Sequence, residues 1–336
     1  MPGFEDLLKF VLKATNVAPA YAPERCIAVT QSSTACHACV AACPHEAIEL
    51  GRQIDIDEVD CSGCGLCVQL CPSQALEPKV SYEPGSSVRC SEVGGSAQSV
   101  LCLGRLQASD IVRLTARRGE VTLAHGDCSD CPIGVPAILE GLAEAVEEAR
   151  GLLRAHGRDI EVRIEQRERL DEDGTPQGVS RRDLLSGGIR SIRRSAAGAL
   201  APLEAVLRVP SEDQGPRALP QETLRRYHIL ELARPEPGEQ VHWRLPRVDD
   251  GCIMCPVCTR VCPTGAFSRD FEPAEGSGPV LRLEPERCLD CGACVEACPV
   301  KVIHMDDEVT WGELSGGTIE AFRSPAGHGP QGILFH

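Results

Sequence analysis

Cysteine is the residue type here with the most chemistry in its spacing. The chain has 20 of them. The pattern C-x2-C-x2-C-x3-C-P is complete three times: Cys61, Cys64, Cys67, Cys71, Pro72; Cys252, Cys255, Cys258, Cys262, Pro263; and Cys288, Cys291, Cys294, Cys298, Pro299. A fourth run, Cys36, Cys39, Cys43, Pro44, has Ser33 where its first cysteine should be. Three thiolates on a tight loop can wrap three corners of an iron–sulfur cubane, while the fourth cysteine lies beyond the loop and reaches the other cluster of a pair. Proline suits the break where the chain leaves the loop for the next element. Zinc sites more often use C-x2-C plus a distant C-x2-C, so paired runs ending in C-P speak for iron and sulfide.

Each run continues alike: Cys43-Pro44-His45-Glu46-Ala47-Ile48, Cys71-Pro72-Ser73-Gln74-Ala75-Leu76, Cys262-Pro263-Thr264-Gly265-Ala266-Phe267 and Cys298-Pro299-Val300-Lys301-Val302-Ile303. A small or β-branched residue followed by a large apolar one recurs, as expected of internal repeats. The pattern resembles bacterial-type two-cluster ferredoxins over roughly residues 22–80 and 248–306. That resemblance implies crossed ligation. Cys61, Cys64 and Cys67 would share a [4Fe–4S] cluster with Cys43; Cys252, Cys255 and Cys258 one with Cys298; and Cys288, Cys291 and Cys294 one with Cys262. The remaining set is Cys36, Cys39, Cys71 and a missing corner. Cys26 is the candidate for that corner, because Pro23-Glu24-Arg25-Cys26 repeats Pro285-Glu286-Arg287-Cys288. A site that lost its corner iron would hold [3Fe–4S] instead. His37 and His45 lie beside these cysteines and are expected to face solvent.

The last four cysteines, Cys90, Cys102, Cys128 and Cys131, need elements to position them. Ser87–Cys90 and Ser99–Gly104 read as short strands, the stretch around Ser109–Arg117 as a helix, and Glu120–Ala124 as a strand. Ile138, Leu142, Val146 and Ala149 make one stripe of a helix over 135–155, and Asp159–Ile164 reads as a fourth strand. This alternation predicts a small α/β domain with a largely parallel sheet. All four cysteines then fall near the carboxyl ends of strands, where open α/β sheets bind ligands, so they can converge on one metal. Cys102-Leu103-Gly104-Arg105 and the following cysteine pair are similar to the small iron–sulfur subunit linking methanogen hydrogenases to heterodisulfide reductase, over about 50 residues. A fifth iron–sulfur cluster of two or four irons, a structural zinc, and unliganded or redox-active thiols all fit this spacing.

The fold class expected is α+β, with two ferredoxin-like dicluster domains (22–80 and 248–308) flanking the small α/β domain (81–168). An N-terminal helix or extension covers 1–21. The segment 169–247 reads as a linker carrying a basic amphipathic helix, with Leu185, Ile189, Ile192 and Ala196 on one stripe beside Arg181, Arg182, Arg190, Arg193 and Arg194. Ser211–Val248 reads as a mostly extended connector, and 309–336 as a tail.

The net charge of −15 argues against a phosphate backbone as the natural partner, since that requires a basic footprint. Met1-Pro2-Gly3-Phe4-Glu5-Asp6 lacks the basic and apolar regions of a signal peptide, and no run has the roughly 18 apolar residues of a membrane span. Ser180-Arg181-Arg182 resembles a twin-arginine export motif but stands far from an N-terminus. The expectation is therefore reduced thiols in a cytoplasm. No G-x-G-x-x-G opens a helix after a strand and no P-loop is present, so no nucleotide or flavin site is expected. Nor is there a catalytic constellation. The reading is an electron carrier of four [4Fe–4S] clusters and a fifth metal site, a subunit or dedicated redox partner of a larger oxidoreductase, with the middle site bridging the two dicluster domains. The alternatives are a redox enzyme acting at the middle cysteines and a metalloenzyme maturation factor.

Overall fold

The structure, a computed structural model, describes residues 17–32, 35–80, 82–169, 218–271 and 278–325. The N-terminal stretch 1–16, the linker at 171–178 and the basic helix expected over 180–200 lie outside the described residues.

At the centre stands a four-stranded sheet with every pairing parallel. Its order runs Gln98–Val100, Val88–Cys90, Glu120–His125, Glu161–Gln166. Val88, Val121, Leu123 and Ala124 are buried in it. Two helices cover the sheet. Ala108–Thr115 opens on a capping box between Gln107 and Asp110, which satisfies orphan amide donors of its first turn. Ala137–Arg154 starts directly after Pro136 and buries Ile138, Leu142, Val146 and Ala149, the stripe read from the 3.6-residue period. Leu142, Leu114 and Ile111 are fully enclosed, each contributing about 1.5–3 kcal/mol of hydrophobic stabilisation.

The flanking regions are built from short pieces. In the N-terminal one, Ala20–Tyr21 pairs with Leu76–Glu77 and Ile48–Leu50 with Ile54–Ile56, both antiparallel. In the C-terminal one, Leu245–Val248 pairs with Ile303–Asp306, and Val280–Leu283 lies between Phe267–Asp270 and Ile319–Arg323. Each run places the cysteine four residues before its C-P cysteine (Cys39, Cys67, Cys258 or Cys294) in a helix of about one turn: Ala38–Ala42, Leu66–Gln69, Val257–Val261 and Ala293–Ala297. Proline disfavours helical backbone in the residue before it, and the helices stop accordingly. Cys43, Cys262 and Cys298 are extended, with ψ of 111°, 117° and 115°. Three residues after each such cysteine the backbone turns left-handed, with φ of 52° at Glu46, 49° at Gln74, 70° at Gly265 and 52° at Lys301. That turn delivers the next apolar residue (Ile48, Leu76, Phe267 or Ile303) into a strand with its side chain buried.

Two expectations are corrected. Ser211–Val248 is not mainly an extended connector: it contains a helix at Gln221–Ala233 and strands at Gln240–Val241 and Leu245–Val248. The helix was obscured because its inward face begins with Glu222 and Thr223, both buried, before reaching Ile229 and Leu230. Residues 309–325 are not a loose tail either. Val309–Thr310 pairs with Gln240–Val241, Trp311–Ser315 is helical, and Ile319–Arg323 completes the three-stranded sheet. Tyr227 joins these segments, its ring 5.7 Å from that of Trp311 and 6.5 Å from that of Trp243.

Candidate metal centres

The cysteines lie close together in several groups. Cys26 follows the 3-10 turn Pro23–Arg25, and Cys288 follows the matching turn Pro285–Arg287. The shared Pro-Glu-Arg sequence thus makes the same local structure, closed by Cys26 N–H to Pro23 O at 3.2 Å and Cys288 N–H to Pro285 O at 3.0 Å. Cys26 is buried in one apolar cluster with Cys67, against which Cys36, Cys39, Cys43 and Cys71 pack. Burial pushes the Cys39 thiol up to about 11, and Cys71, Cys26 and Cys36 add to the rise in that order. The Cys71 sulfur accepts a hydrogen bond from Ala75 N–H at 3.2 Å.

Cys43, Cys61, Cys64 and Cys67 line a second cavity, walled by Ile48, Ile56 and Val68. Burial raises the Cys67 thiol most, followed by the influence of Cys64, Cys61, Cys39 and Cys43. Cys39 belongs to the neighbouring foursome, so the two sets of this domain adjoin. In the C-terminal region, burial pushes the Cys258 thiol up to about 12, with Cys252 and Cys255 next. Cys252 rises through burial first, and Cys255 and Cys298 add to it. Cys262, Cys288, Cys291 and Cys294 line a cavity with Phe267, Leu283 and Met305. The Cys262 sulfur accepts from Ala266 N–H at 3.2 Å, as Cys71 does from Ala75. Burial pushes Cys294 up to about 12, with Cys291, Cys262 and Cys258 behind it, so these two sets adjoin as well.

The middle four also meet. Cys90, Cys102, Cys128 and Cys131 line one cavity with Leu103, Ile133, Ile138 and Leu139. They come from the ends of three adjacent parallel strands. The cavity opens where the strand order reverses direction, the usual ligand crevice of open α/β sheets. Burial pushes the Cys102 thiol up to about 12, and burial followed by Cys131 raises Cys128.

Two residues beside these sites were not singled out from the sequence. His125 is buried, its Nδ1 2.7 Å from Gly126 O and 3.9 Å from the Cys128 sulfur; a histidine ending an apolar strand just before a cysteine pair was the available signal. Arg105 is 7% exposed. Burial pushes its pKa down, against the opposing pull of Cys102, Cys61, Cys64 and Cys67. His37 is exposed, as expected. His45 is half-buried, with Nε2 3.0 Å from Ile133 O.

The thiols whose pKa burial raises would need positive charge beside them to ionise, which a cationic core shared among four cysteines would supply. Among the described residues, no group of three or more His, Cys, Asp or Glu side chains closes around a point fit for a single metal ion. Three cavities are each lined by four cysteines. Also among the described residues, no helix is long and apolar enough to cross a membrane.

The 4Fe-4S dicluster domain family model matches residues 32–75 and 251–302. No curated protein and no solved structure matches the chain.

Proposed function

For an iron–sulfur electron-transfer protein with two 4Fe-4S dicluster domains flanking a parallel-sheet domain, we propose a carrier of four [4Fe–4S] clusters and a fifth iron–sulfur centre. The ligand sets are Cys26, Cys36, Cys39 and Cys71; Cys43, Cys61, Cys64 and Cys67; Cys252, Cys255, Cys258 and Cys298; Cys262, Cys288, Cys291 and Cys294; and, for the fifth, Cys90, Cys102, Cys128 and Cys131. Each cluster supplies one-electron chemistry when bound, at a potential tuned by net charge, hydrogen bonds to sulfur and exposure. The chain's own residues do the tuning. Ala75 and Ala266 direct amides at cysteine sulfurs, Arg105 places a buried cation near two sets, and apolar side chains wall the cavities. The observation that carries the reading is that three separate cavities are each lined by four cysteines. We further assign the chain to the cytoplasm, as a subunit or dedicated partner of a larger oxidoreductase.

The test is an anaerobic reductive titration of the full chain. Reversible uptake of about four or five electrons per chain, one per cluster, without turnover of any substrate supports it. Uptake of about two or fewer contradicts it.

A further inference from the structure

We propose that Cys64, Cys102 and Arg105 hold the middle four-cysteine centre and the Cys43–Cys61–Cys64–Cys67 centre together as a coupled pair. This rests on the reading that both sets bind iron–sulfur clusters.

Four kinds of contact join the two sites. First, the loop backbones touch. A Cβ on Gly65 would stand 2.5 Å from Gly104 O, and one on Gly104 would stand 2.6 Å from Cys64 O. Only paired glycines permit that approach. Second, Cys64 and Cys102 share a buried apolar cluster with Leu66 and Ile138. The Cys102 sulfur and the Cys64 Cβ lie 3.6 and 3.9 Å from one point, the place a Cβ on Gly134 would occupy. Third, the carbonyl of Ile133, in the middle-site loop, accepts from Ser62 Oγ at 2.7 Å and has His45 Nε2 at 3.0 Å. Ser62 and His45 each stand within two residues of a cysteine of the other set. Fourth, Arg105 is buried within the electrostatic reach of Cys102, Cys61, Cys64 and Cys67, and its Nη2 is fixed on Val17 O at 3.1 Å.

The dicluster domains meet elsewhere. Gln31 Nε2 donates to Val261 O at 3.1 Å. Gln31 follows the turn that begins at Cys26, and Val261 precedes Cys262. The two domains therefore have a contact of their own beside their cysteine runs. A fixed buried cation favours the more negative, reduced form of a nearby cluster, so Arg105 is a positioning and tuning residue for both centres.

The experiment uses the full chain, purified without oxygen, with iron and zinc counted per polypeptide and EPR recorded through a redox titration. Cys128→Ala is expected to lose one cluster's iron and, with it, the spin-coupling contribution to the Cys43-set signal, leaving the C-terminal pair unchanged. Cys131→Ala serves the same purpose if Cys128→Ala does not fold. Arg105→Gln is expected to lower the potentials of these two centres together and leave the C-terminal pair in place. Iron at the middle site with the Cys43-set signal unaltered in the cysteine variants, or with neither potential moved in Arg105→Gln, overturns the pairing but spares the five-centre reading. Zinc at the middle site overturns both.

Discussion

Gly65 and Gly292 occupy the same place in two copies of the cysteine motif, directly after the second cysteine, and both have left-handed backbone, with φ of 87° and 68°. Their surroundings differ. A Cβ on Gly292 meets nothing within 4 Å, whereas one on Gly65 meets Gly104 O at 2.5 Å, Gly104 C at 2.6 Å and Arg105 N at 2.8 Å. All three are backbone atoms of the middle domain and cannot swing aside. Alanine at either position carries the left-handed penalty of about 1–2 kcal/mol, partly offset by the reduced entropy of the unfolded chain, about 0.4–1 kcal/mol. Gly65→Ala adds overpacking against the neighbouring loop, typically about 1–3 kcal/mol. The assay is the apparent melting midpoint of the cluster-loaded full chain, both variants heated at one rate. At about 2–4 °C per kcal/mol for domains of this size class, Gly65→Ala should melt several degrees below Gly292→Ala. Equal midpoints would refute the close packing of the Cys64 loop on the middle domain.

Glu46, exposed and left-handed at φ 52°, should tolerate glycine with a gain of up to about 1 kcal/mol, the backbone relief outweighing glycine's own entropy cost; a lower melting midpoint for Glu46→Gly would count against this. Glu222 is fully buried against Ser109, whose N–H donates to it at 2.9 Å, and burial followed by the Asp110 charge pushes its pKa up to about 7. A raised carboxyl pKa contributes stability that is full below the unfolded value of 4.5 and is lost as pH rises through about 7. Unfolding free energies from denaturant titrations between pH 5.5 and 8 should therefore fall by on the order of 1–3 kcal/mol in the wild type and fall less in Glu222→Gln, where buried Asp110 keeps a raised pKa of its own. Cys26→Ala should convert its site to a three-iron cluster, seen as a new EPR signal in the oxidised protein with about one iron less per chain; unchanged iron would remove Cys26 from the ligand set.

Much of this architecture can be read from residue types alone. Three of the four C-P steps mark where a helix ends, at Cys43, Cys262 and Cys298, because proline acts on the residue before it; Leu66–Gln69 ends at Leu70, before Cys71. The stripe Ile138, Leu142, Val146 and Ala149 predicts the long helix because all four are buried, Leu142, Val146 and Ala149 in the main core and Ile138 in the cluster with Cys64, Leu66 and Cys102. The four parallel strands are legible from apolar runs between turns, and the grouping of Cys90, Cys102, Cys128 and Cys131 follows once they are parallel. What local pattern could not carry was set by tertiary contact. Gln221–Ala233 buries an acid in its first turn, and only Ser109 at the start of another helix makes that tolerable. Trp311 and the strand Ile319–Arg323 find their place through partners at Tyr227 and Val280–Leu283. Arg105 looks like any surface arginine until its neighbours, drawn from residues 17 to 102, are assembled around it.

The central claim is tested most directly by metal analysis of the intact chain purified without oxygen: iron, acid-labile sulfide and zinc per polypeptide. Five centres on these 20 cysteines predict about 18–20 irons, matching sulfide and no zinc. About 8 irons or fewer, with sulfide equally low in folded protein, would contradict it.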